Sequence, residues 1–73
     1  MSKLPQISGA DLVRALQKLG FTVRRQHGSH IIMRRDDPFA QTVVPDHRQI
    51  DRGTLRAILR QTEITAEELI RLL

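Results

Sequence analysis

The sequence predicts an α+β fold, a two-layer sandwich with helices on one face of a three-stranded antiparallel sheet. Three observations predict it. An apolar stripe of helical period spans Leu12 to Leu19, and three short strand-like runs separated by turn residues fill Phe21 to Val44. Helical periodicity then returns after Asp51. The 73 residues form a single domain (1–73), too short for a second core.

Residues 1–7 read as a loose lead-in, with Pro5 discouraging helix. Ser8 is the first N-cap candidate, and Asp11 adds a carboxylate where the helix dipole favours one. Leu12, Ala15, Leu16 and Leu19 make the apolar stripe of the first helix, which Gly20 ends as a C′ glycine. From Phe21 to Gln26 apolar and polar residues alternate, so a strand is expected with Phe21 and Val23 inward. His27-Gly28-Ser29 is the turn, and His30 to Arg35 the second strand. There His30, Ile32 and Arg34 share one face, and Ile31 and Met33 the other. Period alone does not say which face is covered. Asp36-Asp37-Pro38 is turn chemistry, and Gln41 to Val44 forms a third strand before Pro45. A loop from Pro45 to Ile50 leads to Asp51, the N-cap candidate of a helix with Leu55, Ile58 and Leu59 inward, ending near Gln61. Thr65 and Glu68 then fit a capping box opening a short last helix.

Composition narrows the class. With no cysteine there is neither a disulfide framework nor a thiolate metal site. The N-terminus lacks the apolar run of a signal peptide, and nothing approaches membrane-spanning length. A soluble, cytoplasmic protein without membrane contact is expected. The net charge of +4 and an excess of arginine over lysine favour a polyanion, because the guanidinium fork binds phosphate oxygens in pairs. Phe21 and Phe39 are the only aromatics, so stacked bases are poorly served and backbone contact is the better expectation.

Charge is concentrated. Between Leu12 and Arg35 lie Arg14, Lys18, Arg24, Arg25, Arg34 and Arg35, with no carboxylate. Inside that segment, His27-Gly28-Ser29-His30 presents imidazoles at a flexible turn. A titratable base beside phosphate-binding groups is what RNA cleavage needs, since a ribose 2′-hydroxyl must lose a proton next to an anion. Arg24, Arg25, Arg34 and Arg35 are RNA-contact candidates, and alternation allows at most one of each neighbouring pair on the face of His30. Gly28 serves the turn conformation or lets a phosphate approach the backbone, and Ser29 is a turn residue or a phosphate ligand. His27 is expected exposed. His47 either orients its loop by hydrogen bonding, the favoured role, or serves as a second acid. Arg52, Arg56 and Arg60 line one exposed helix side. No metal or other cofactor is expected, the histidines being awkwardly spaced for a chelate.

Four blocks together carry a family resemblance: Leu12 to Phe21 (LVRALQKLGF), Gly28-Ser29-His30, Val44-Pro45 with His47, and Gly53 to Gln61 (GTLRAILRQ) followed by Ile64. In this order and spacing the chain resembles the HicA family of toxin endoribonucleases from prokaryotic toxin–antitoxin pairs, over nearly everything from Ser8 onward. The resemblance implies a double-stranded-RNA-binding-like α-β-β-β-α fold and metal-independent mRNA cleavage. It also implies a HicB antitoxin that covers the active site in a hetero-oligomer. The family's catalytic histidine follows Gly-Ser, which makes His30 the expected general base. Many members carry a histidine or an aromatic directly after it, where this chain has Ile31. Two other classes compete: a non-catalytic RNA-binding module reading duplex shape, and an adaptor whose basic face binds an acidic protein.

Overall fold

The computed structural model describes residues 3–73. The chain runs α1 (Gly9–Lys18), β1 (Thr22–His27), β2 (His30–Asp36), β3 (Phe39–Pro45), α2 (Arg52–Thr62) and α3 (Ala66–Leu72). One antiparallel sheet holds the strands in the order β1-β2-β3. This is the expected α+β sandwich in α-β-β-β-α order, with a short extra C-terminal helix.

Capping sets the helix starts. The Ser8 hydroxyl accepts the Asp11 N–H at 3.0 Å, and the Asp51 carboxylate accepts that of Thr54 at 3.2 Å. At α3 the box is reciprocal: Glu68 N–H donates to Thr65 Oγ1, and Thr65 N–H to Glu68 Oε1. Gly20 follows α1 at φ +92°, a left-handed position open to glycine at no steric cost. Glu63 takes a similar conformation after α2.

The strand pattern decides which sheet face is covered. Ile31, Met33, Ala40 and Val44 are buried under the helices, packed with Leu12, Leu16, Phe21, Leu55, Ile58 and Leu69. Thr42 shares that face, its hydroxyl satisfied by Gln61 Oε1 at 2.6 Å. The opposite face stays open to solvent.

Three details depart from expectation. The first strand begins at Thr22, and Phe21 instead anchors the core beneath Arg35, whose guanidinium sits 4.6 Å from the ring centroid. Val23 is not inward in any protective sense. It lies opposite Met33 but remains 43% exposed, on an edge strand whose residues are all exposed. Within the lead-in, residues 3–7 carry no helix or strand, yet Ile7 is buried and its carbonyl accepts the Ile50 N–H at 2.9 Å. The lead-in's first two residues lie outside the described part of the chain.

Candidate functional site

The β1–β2 connection is a two-residue turn, Gly28-Ser29, between the paired residues His27 and His30. Gly28 takes φ +55° with open space around its Cα, so the turn requires its backbone freedom and no neighbour requires its smallness. Ser29 fixes the turn through its main chain, its carbonyl accepting the Asp46 N–H at 2.7 Å. Gln26 adds a second stitch, donating from Nε2 to the Gly28 carbonyl at 2.9 Å and to Asp46 Oδ2 at 3.2 Å. Turn and loop are thereby held as one unit.

A bulge decides which side chains join His30. In β1, Val23 pairs with Met33 and Arg25 with Ile32, leaving Arg24 as the extra residue. Simple alternation from Val23 would turn Arg25 and His27 toward the helices. The bulge resets the register, so that Arg25 stands opposite Ile32 and His27 opposite His30, all on the open face. Gln26 is carried to the side of Ile31, where it stays exposed and reaches Asp46.

The other arginines divide. Arg34 is on the open face, but four residues along β2 from His30, with its Nε 2.9 Å from Asp36 Oδ1. Arg35 is on the covered face, opposite Ala40. There it stacks on Phe21 and donates to the carbonyls of Pro38 at 2.9 Å and Leu19 at 3.3 Å. The second bond places a cation at the C-terminal end of α1, where the dipole welcomes it. Arg35 is thus apart from His30, and its contacts are those of a structural residue. Ile31 is buried opposite Val44 and faces away from His30's side of the sheet.

His30 is exposed at the start of β2, opposite Pro45. It lines an open cleft of about 370 Å³ with Val43, Pro45, His47, Asp51 and Thr54. The structure therefore brings together His30 and His47, seventeen positions apart in sequence, from a strand and a loop. Among the described residues, no three His, Asp or Glu side chains group as a metal-ion set.

One residue that sequence reasoning missed holds the cleft's wall. Gly9 opens α1, and a Cβ there would stand 2.1 Å from the Pro45 carbonyl oxygen. Its N–H donates to the His47 carbonyl at 2.8 Å. The available signal was a glycine in the first turn of a helix, where it is intrinsically unfavourable and no turn demands it. Pro45 and Asp51 were likewise legible as loop and cap residues, and Thr54 only as part of the Gly53 to Gln61 block.

Comparison with known proteins identifies a family. The family described as HicA toxin of bacterial toxin–antitoxin matches residues 9–64, which include Gly9, the hairpin turn, the loop and α2. No match is found among curated proteins.

Proposed function

The chain belongs to the HicA toxin family, a toxin of a bacterial toxin–antitoxin pair, and on that premise we propose that it is an endoribonuclease cleaving mRNA with His30 as general base. The observation that carries this reading is the placing of an exposed imidazole in a cleft on the open sheet face, with Arg25 and His27 beside it. His30 removes the proton of a ribose 2′-hydroxyl, and the oxygen attacks the adjacent phosphorus. The P–O5′ bond breaks, leaving a 2′,3′-cyclic phosphate and a free 5′-hydroxyl. Negative charge grows on the phosphoryl oxygens during attack, and Arg25 is the cation best situated to meet it. Arg24 and Arg34 extend the basic surface along the RNA backbone, and Gly28 and the Ser29 hydroxyl border the phosphate's approach. The chain's own acid–base groups can move every proton required, so the reading calls for no metal or cofactor.

The partner in the pair is, on this reading, a HicB-type antitoxin that covers the cleft and excludes RNA. The described residues contain no helix long and apolar enough to cross a membrane, and the substrate would be met in the cytoplasm.

Purified protein should cut single-stranded RNA in EDTA. His30→Ala should lower the rate by about 10²-fold or more, the usual scale of positioned acid–base catalysis, with an unchanged thermal melt. Tight RNA binding by wild type without any cleavage would replace the nuclease with a binding module.

A further inference from the structure

Cleavage of a phosphodiester moves two protons at two oxygens, and His30 accounts for one. The second arrives at the departing 5′-oxygen. An unprotonated alkoxide is strongly basic and leaves poorly, so a positioned acid is worth much to the rate.

The His47 ring has no structural employment among the described residues. Orientation of the loop falls to the main chain: Gly9 N–H to His47 O at 2.8 Å, Asp46 N–H to Ser29 O at 2.7 Å, and Ile50 N–H to Ile7 O at 2.9 Å. Those three bonds fix the loop at both ends and at His47 itself. The imidazole makes no hydrogen bond or ion pair with any described residue, and it is exposed. It nevertheless lines the same cleft as His30. The other titratable group there, Asp51, is committed through Oδ2 to capping α2. His27, although opposite His30 across the hairpin, does not line the cleft.

We propose that His47 is the general acid of this site, a proposal that rests on reading the cleft as a ribonuclease centre. His30 starts neutral and takes the 2′-hydroxyl proton. His47 starts as imidazolium and gives its Nδ1 or Nε2 proton to O5′ as the P–O5′ bond breaks. The chain ends with His30 protonated and His47 neutral, and exchange with water restores both. No bond is left unbalanced and no co-reactant is consumed. The backbone lock on His47 O holds the donor's position while the ring stays free to turn toward the leaving oxygen.

The test uses two RNA oligonucleotides that differ at one linkage: an ordinary 5′-oxygen, or a bridging 5′-sulfur. A thiol has a pKa of about 8.5, so a thiolate departs without being protonated. His47→Ala and His47→Gln should cut the oxygen substrate about 10²-fold or more slowly than wild type, yet cut the sulfur substrate at nearly the wild-type rate. His30→Ala should be slow on both. Equal deficits of the His47 variants on the two substrates, or no deficit on either, would overturn the acid assignment and leave His30 as base untouched. If wild type cuts neither, the acid assignment falls together with the nuclease reading. Thermal melts of both variants, expected to match wild type because the ring is exposed and unbonded, separate chemistry from folding.

Discussion

At position 9 two physical effects oppose each other, and magnitude decides between them. Alanine is better than glycine inside a helix by about 0.5–1 kcal/mol, so propensity alone predicts that Gly9→Ala stabilises. The new Cβ, however, would meet the Pro45 carbonyl oxygen at 2.1 Å and the Asp46 Cα at 3.1 Å. Both are backbone, which cannot swing aside as a side chain can. Overpacking of this kind costs about 1–3 kcal/mol, and the displaced loop would also lose the Gly9 N–H to His47 O bond. Gly9→Ala should therefore lower the melting temperature by several degrees, since about 1 kcal/mol shifts a domain of this size by roughly 4–8 °C. RNA cleavage should fall further than the folded fraction explains. A raised melting temperature would show that helix propensity wins and that the loop yields freely.

Among the elements, α3 depends most visibly on its cap. The Thr65 backbone N–H, and then the Thr65 hydroxyl, hold the Glu68 carboxyl below its ordinary 4.5, with Arg71 assisting and slight burial opposing. A carboxyl depressed in the folded state contributes stability that is present above its unfolded value and is lost as pH falls through the folded one. Glu68→Gln keeps the shape and an acceptor for Thr65 but removes the charge. Wild type should melt above the variant at about pH 6–7, with the gap closing as pH falls below the ordinary carboxylate value and through the lowered one. A gap that persists at low pH would mean that packing, not the charged cap, separates the two proteins. α1 has a different tether at its far end, where Lys18 Nζ donates to the Leu72 carbonyl at 2.7 Å and ties it to the end of α3.

For the whole molecule, the division that matters is between the two faces of the sheet. Arg25 and Arg35 are chemically alike and sit on adjacent strands, yet one faces solvent beside His30 and the other packs on Phe21. Arg25→Ser should leave the melting temperature nearly unchanged and weaken RNA binding. Its effect should be similar across sequences, with the slope of log affinity against log salt reduced by about one phosphate contact, near 0.7 for single strands. Arg35→Ser should do the reverse, losing about 0.5–1 kcal/mol of stacking on Phe21 together with the bond to Leu19, and lowering the melting temperature while the salt slope stays put. Titration of RNA binding at several salt concentrations, with paired melts, separates the two. Should Arg35→Ser change the slope as Arg25→Ser does, the basic surface would have to wrap around the sheet edge.

Much of this protein was readable from residue patterns acting over one or two turns. Ser8, Asp51 and the Thr65–Glu68 box mark helix starts because a capping side chain needs only the backbone three residues ahead. Gly20 and Gly28 mark reversals because positive φ is a property of one residue. The apolar stripe from Leu12 to Leu16 marks the core for the same local reason. The period of β2 separates Ile31 and Met33 from His30 and Ile32, but only packing decides which face is covered. Tertiary structure decided what depends on partners distant along the chain. The bulge at Arg24 arises from pairing with β2, and it alone turns Arg25 and His27 to the face of His30. Val23 kept its apolar identity but lost its cover, because position in the sheet and not alternation determines what shields a strand. The meeting of His30 with His47, and the need for a bare Cα at Gly9, follow from a loop clasped between a hairpin and a helix start. Such contacts are made across space by main-chain groups common to every residue, and for that reason no side-chain pattern announces them.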